Sequence, residues 1–283
     1  VILALAFGAV TLSRAPWRRS PAGTETPAWD SAAARTAVRQ FWEAYRRASD
    51  LRTEARWAEA REAYRQALAL DPRHEDALYY LGNVELELGN YRGAAEAWER
   101  LVVVNPASAR GHSRLGDLYA CPEPGAPRDL ARAEAEFRRA LQLNREETGP
   151  LLHLGELALI RGDLEAAASA FAAVIASNPR SIEAHLLDGY LSWKQGRTAV
   201  ALERFRRSVE LAHSPPPARP APAEGDTKRG TAPAAAPSTI CRPFAAAVRA
   251  LAQVDSANVQ ARLSPFYRQL DRRLAQLAPP ARP

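Results

Sequence analysis

The sequence predicts an all-α protein, a solenoid of stacked antiparallel helix pairs, and three observations predict it. The chain repeats itself: "YRQALALDPRHEDALYYLG" is echoed by "FAAVIASNPRSIEAHLLDG", and aligning on these stretches divides Phe41 to about Ala212 into roughly five copies of a unit near 34 residues long. Glycine recurs inside helical patterns, at Gly82, Gly116, Gly155 and Gly189, although it costs roughly 1 kcal/mol against alanine in a helix interior. Close approach of two helices accounts for that preference. Finally, Pro72, Pro106 and Pro179 fall where the second helix of a pair has to stop, because proline cannot continue a helix.

Taken from the N-terminus, Val1 to Leu12 is apolar. At 1.5 Å per residue it covers only about 18 Å of a bilayer core near 30 Å thick. Residues 1–13 therefore read as part of a membrane anchor or as a signal remnant, and with no methionine in the chain Val1 is not expected to be the translation start. Arg14, Arg18 and Arg19 favour a cytoplasmic side for the residues after them, but an upstream flank can outweigh them. Export with retention at a membrane is the reading adopted, with the protein periplasmic or otherwise exported. Residues 14–29, which include most of "SPAGTETPAWD", form a spacer.

Residues 30–212 carry the repeats. The first unit supplies Ala60, Tyr64, Ala67 and Pro72, with Ala48 in place of the first-helix glycine. The second supplies Leu81, Gly82, Gly89, Tyr91, Ala94, Trp98 and Pro106. In the third, Leu115, Gly116, Tyr119, Ala133, Phe137 and Ala140 are present, Arg145 replaces the proline, and "CPEPGAPRD" lengthens the turn between the helices. The fourth has Leu154, Gly155, Gly162, Ala167, Phe171 and Pro179, and the fifth Gly189, Gly196, Ala201 and Phe205. On these positions the region resembles a tetratricopeptide-repeat array. The resemblance implies a right-handed superhelical solenoid of about five helix pairs, with Gly82 facing Ala94 within its pair. Gly89 is expected in the tight turn at positive φ. The aromatics Trp98, Phe137, Phe171 and Phe205 are expected to fill the gap toward the following unit. Gly93 fits none of these positions.

The resemblance also implies a concave face lined by first helices, suited to an extended protein segment. Carried over position by position, the groove comprises Trp42, Tyr45, Ser49 and Arg52, then Tyr79, Asn83 and Leu86, then Arg110, Ser113 and Asp117. Leu152, Glu156 and Leu159 come next, and finally Leu186, Tyr190, Trp193 and Lys194. Family members that clamp the C-terminal carboxylate of chaperones use a lysine, arginine and asparagine cluster. Here Tyr45 stands at the first clamp lysine and only Asn83 matches in type, which argues against a chaperone-tail receptor.

Residues 213–240 are rich in proline and alanine and read as a linker. Residues 241–283 form a helical cap: one helix with Pro243 in its first turn, and another with Ser264 as N-cap, Pro265 as its first residue, and Phe266, Leu270, Leu274 and Leu277 as its apolar stripe. Cys121 lies at the end of the third unit's first helix and Cys241 where the linker meets the cap. In an exported protein a bond between them would hold the long segment against the concave side; two independent thiols are the other reading.

No chemistry is expected. His74, His112, His153, His185 and His213 are scattered, and no metal motif, nucleophile elbow or phosphate loop is present, so no catalytic, cofactor-binding or metal-binding residue is assigned. The net charge of +6 comes from arginines interleaved with acids, as on a solvated helical surface, and nucleic acid is not an expected partner. The function expected is a non-catalytic scaffold, a membrane-associated periplasmic adaptor whose groove holds a protein segment during assembly of an envelope complex. The alternative is a permanent structural subunit of a larger membrane or extracellular complex, its groove filled by its own C-terminal segment.

Overall fold

The computed structural model describes residues 31–214 and 240–278. The apolar N-terminal stretch, the spacer and most of the proline-rich linker lie outside the described residues. Ten helices form five antiparallel pairs: α1 (Ala32–Thr53) with α2 (Trp57–Leu70), α3 (Glu75–Glu87) with α4 (Tyr91–Val104), α5 (Ala109–Ala120) with α6 (Leu130–Leu143), α7 (Thr148–Arg161) with α8 (Leu164–Ser177), and α9 (Ile182–Lys194) with α10 (Thr198–His213). Each pair packs on the next, and α11 (Ala245–Leu251), a 3₁₀ turn (Ser256–Asn258) and α12 (Val259–Leu277) cover the last pair. Among the described residues there is no strand.

The sequence sets most helix boundaries locally. Side chains of Ser31, Asn90, Ser108, Asp163 and Ser181 each accept a hydrogen bond from the backbone N–H three residues on, satisfying a donor that the first turn leaves open. Four of the five turns within pairs close in the same way. The N–H of Arg56, Asn90, Asp163 and Arg197 reaches back to the carbonyl of Leu51, Glu85, Ala158 and Ser192 at 2.8–2.9 Å. The residue before each, Ala55, Gly89, Gly162 or Gly196, takes φ between 57° and 83°. This is the helix-terminating arrangement that glycine accepts without steric cost. Ala55 adopts it with a Cβ.

The first-helix glycines are explained by rings. A Cβ on Gly82 would lie 2.2 Å from Trp98 Nε1, so the indole, rather than Ala94, is what demands the glycine. The fully buried indole lies on the backbone of α3 and donates to the Tyr79 carbonyl at 3.2 Å. Phe137 over Gly116 and Phe171 over Gly155 repeat the contact, with ring atoms 2.5 and 2.7 Å from where a Cβ would stand. The aromatics thus pack back onto their own pair, and Phe137 also reaches forward to His153, with ring centroids 5.0 Å apart. In the fifth pair the group over Gly189 is Tyr267 of α12, whose hydroxyl would stand 2.2 Å from a Cβ. Phe205 packs beside it with its ring tilted by 60°, 5.4 Å between centroids.

Gly93 has a separate reason. A Cβ there would meet the Asn90 amide at 2.5 Å and the Glu85 carboxyl at 2.9 Å. Glu85 is buried, and it is held by Arg65 and by Asn90, each at 2.8 Å. The glycine leaves room for this charge-assisted network, without which a buried carboxylate would be costly.

The cap departs from the sequence expectation in two places. Pro243 precedes α11, which Phe244 caps, and so is not in the first turn. Helix α12 starts at Val259, so Ser264 is no N-cap and Pro265 lies inside the helix. Burial of Val259 and Leu263 together with Tyr267, Leu270, Leu274 and Leu277 extends one apolar stripe past the proline, offsetting the single backbone hydrogen bond that proline removes. Tyr267, not Phe266, is the deepest ring of that stripe: Tyr267 is fully buried and Phe266 half-buried.

Candidate functional site

The concave face divides into an open half and a covered half. Helix α1 is 22 residues long, against 12 to 14 for α3, α5, α7 and α9, so its N-terminal turns overhang the array. On it Val38 is 57% exposed and Trp42 45%. Phe41, Trp42, Tyr45 and the His74 ring form a cluster with centroids 4.6–5.9 Å apart. Ser49 Oγ donates to the Tyr45 carbonyl at 3.0 Å and lies 3.3 Å from the Tyr64 hydroxyl. Arg52 donates to that hydroxyl at 3.3 Å while its guanidinium stands 4.4 Å from the Tyr80 ring centroid. Arg110 lies 4.7 Å from the Tyr79 ring centroid and pairs with Asp76. Asn83 and Ser113 are half-buried on the same face, and Leu86 is buried in the core. Apart from the buried Phe41 and Leu86, these side chains are ordered by rings and hydroxyls yet reachable from solvent, which suits them to contact another chain.

From the fourth pair onward the same face is occupied by the protein itself. Leu152, Glu156, Leu159, Leu186 and Tyr190 are all buried. Residues 240–244 run over α5 and α7 as a strap, and α12 continues over α9 and α10. Cys121, the C-cap of α5, is joined to Cys241 in a disulfide, with both residues buried. Tyr267 donates to the Leu186 carbonyl at 3.3 Å. Asp271 accepts from the Tyr190 hydroxyl at 2.5 Å and from Lys194 Nζ at 2.9 Å. These two donors hold its carboxyl below the usual range, and burial with the same contact raises the Tyr190 phenol. Trp193 is half-buried, its centroid 5.9 Å from that of Tyr267. The end of α12 returns to the third pair, where Arg128 donates to the Leu277 carbonyl. Cys121 and Arg128 both belong to the "CPEPGAPRD" insertion, so the one lengthened turn anchors both ends of the C-terminal segment.

Beneath the strap lies a polar cluster that sequence reading does not assemble. His153 donates through Nδ1 to Glu156 at 2.8 Å, and its Nε2 accepts from Arg242 Nη1 at 2.5 Å. These two contacts fix the neutral tautomer. Asp117 lies 3.4 Å from His153 Nε2 and 3.1 Å from Arg114 Nη1. Glu156 and Glu183, from successive first helices, lie close enough for each carboxyl to act on the other. Burial, and for Glu183 the facing carboxyl as well, push both far above the usual carboxylate range, so the pair keeps a proton near neutral pH. Oε1 of Glu156 and Oε1 of Glu183 are both buried, and neither has a hydrogen-bond partner among the described residues. Burial lowers the His153 pKa, consistent with the neutral ring. His153, Glu183, Arg242 and Asp271 are absent from the groove read out of the repeat, because their roles depend on a segment the repeat does not contain.

Tetratricopeptide-repeat models match residues 51–118, 126–182 and 152–216, more than half of the chain. The chain is a tetratricopeptide-repeat protein. Such proteins generally serve as protein-interaction scaffolds. No curated protein is significantly similar to this one in sequence. Among solved structures, MamA is 22% identical with a TM-score of 0.52, over 62% of this chain and 92% of that one. PilW, a widely conserved type IV pilus biogenesis factor, is 18% identical with a TM-score of 0.53, over 62% and 79%. PilF of Pseudomonas aeruginosa is 17% identical with a TM-score of 0.51, over 62% and 83%. These likenesses establish the repeat fold of this tetratricopeptide-repeat protein. Among its described residues no helix is long and apolar enough to cross a membrane, and no group of three or more His, Cys, Asp or Glu side chains could hold a metal ion.

Proposed function

We propose that the protein is a non-catalytic scaffold whose open concave half, from Trp42 to Ser113, holds an extended segment of a partner protein. It works as a membrane-associated, exported adaptor in the assembly of an envelope complex. The observation that carries this reading is the exposed, ring-ordered surface around Trp42, Tyr45, Arg52 and Tyr79, continuous with the face the protein's own strap occupies farther along. The buried disulfide supports an oxidising compartment, and the pilus biogenesis factor PilW shares the fold. Self-occupation of the fourth and fifth pairs favours the second reading, a permanent accessory subunit, because that half of the face is closed to other chains.

The test is photo-crosslinking in native membranes, with the reactive group placed at Trp42 or Ser113 and, as a control, at Arg206 on the outer side. The adaptor reading expects the same protein adduct at both groove sites, lost on Tyr79→Ala and on Arg52→Ala, and absent from the control. Adducts confined to Arg206, or unaffected by the groove substitutions, would remove it. A stoichiometric complex that survives detergent and high salt would favour the accessory subunit.

A further inference from the structure

The strap shows what the covered half of the concave face binds. Residues 240–244 read Ile-Cys-Arg-Pro-Phe. Ile240 packs against the core of the first three pairs, and Phe244 is buried among side chains of the last two pairs and the cap. Arg242 reaches His153 on the face between them, with Glu156 and Glu183 close enough for its charge to act on both. Pro243 and Cys241 line a void of about 10 Å³ together with Phe137, Leu157, Ile160 and the polar groups of Asp117, His153 and Glu156, at the limit for a single water. A short segment folded in turns, with Cys241 at φ 66° and one guanidinium between bulky apolar residues, therefore fills this face as a ligand would.

We propose that the concave face of the third to fifth pairs is a second, latent partner site, taking a short turn-forming segment with an arginine between bulky apolar residues once the Cys121–Cys241 bond opens and residues 240–244 leave. The proposal rests on reading the concave face as the partner-binding surface, and it adds the chemistry of the partner and the condition for entry. While the bond is closed, Arg242 cannot be displaced, because leaving would require the strap to move with its sulfur still tied to α5. Opening needs a dithiol: its two thiols become a disulfide, and each cysteine sulfur takes up a proton. Both cysteines are buried, so this exchange follows local opening of the strap and is slow. After opening, residues 240–244 compete only as a tethered segment, at an effective concentration on the order of millimolar. A longer partner that also engages the open half can outcompete it. Grip on the open half leads directly into the latent site, since Arg114 and Asp117 connect the two.

The experiment uses the full chain and a synthetic pentapeptide copying residues 240–244 with serine for Cys241. A second peptide carries citrulline, isosteric but uncharged, at the Arg242 position. The variant Cys241→Ser/Arg242→Ala should bind the arginine peptide at least tenfold more tightly than the citrulline peptide, while the oxidised wild type binds neither. Cys241→Ser alone should bind more weakly than the double variant, because its tethered Arg242 competes. Hydrogen exchange reports the strap independently: amides of α7 and α9 should lose protection in both variants, with α3 and α4 unchanged. Equal affinity for the two peptides, binding by oxidised wild type, or a deprotected face that takes neither peptide would overturn the proposal. So would full protection of α7 and α9 without the bond. Because the probe needs no native partner and no open-half residue, a failed crosslink at Trp42 leaves this result standing, and the reverse also holds.

Discussion

Replacing Gly82 by alanine tests the central packing claim. The added methyl would sit 2.2, 2.5 and 2.6 Å from three atoms of the Trp98 indole. That ring is fully buried and tied to the Tyr79 carbonyl, so it cannot swing aside as a flexible side chain would. Overpacking of a core costs about 1–3 kcal/mol, and three contacts this short belong at the upper end. Losing the indole hydrogen bond adds about 1 kcal/mol. Alanine returns roughly 1 kcal/mol of helix propensity, which leaves a net loss of about 2–3 kcal/mol, or about 5–10 °C in melting temperature for a domain of this size. Urea unfolding followed by tryptophan fluorescence and far-ultraviolet circular dichroism measures it, with hydrogen exchange in α3 and α4 locating the effect. A double-mutant cycle with Trp98→Leu isolates the clash: each single change destabilises, and the pair should recover at least about 1 kcal/mol relative to additivity. A Gly82→Ala protein as stable as wild type, or strictly additive costs, would refute the argument that the ring selects the glycine.

Ala55→Gly should stabilise by about 0.5–1 kcal/mol, since Ala55 holds φ 57° in the turn where three other pairs use glycine; a lower urea midpoint would contradict this. Cys121→Ser/Cys241→Ser should destabilise by at most about 5 kcal/mol, the chain-entropy value for a separation of 120 residues, read as a lower thermal midpoint than that of the oxidised wild type. Stability should fall as pH rises from about 6.5 to about 8. In that window the folded carboxyls of Glu156 and Glu183, raised to about 7 and about 8, still hold protons that the unfolded chain has released, and His153 and His185, lowered by burial, no longer contribute. Below pH 6.5 those histidines act with the opposite sign, and Glu183→Gln should flatten the slope above it.

The repeat period, helix pairing and turn chemistry are legible in the sequence because each is encoded within a few residues. Asn90 caps and Gly89 terminates by contacts to their immediate neighbours, and the ring–glycine pairs Gly82 with Trp98 and Gly116 with Phe137 lie within one unit. The start of α12 is not legible in the same way: Ser264-Pro265 is a strong local start signal, overridden by Val259 and Leu263, whose burial depends on where α10 lies. Glu85 reads as a surface acid until Arg65 and Asn90 are placed around it. The seventeen expected groove positions all lie on first helices, yet which of them are reachable depends on the course of the strap, and nothing in the repeat specifies that course.

By itself, then, the amino-acid order determined an all-helical array of five pairs, its glycine and proline punctuation, and a face that first helices present. Tertiary structure alone decided that half of this face is filled from within, that Cys121 meets Cys241 across 120 positions, and that Arg128 meets Leu277 across 149. The reason is the range of the forces involved. Helix and turn preferences act over one or two turns of chain, whereas the strap is placed by burial and polar pairing between segments that become neighbours only after the pairs have stacked.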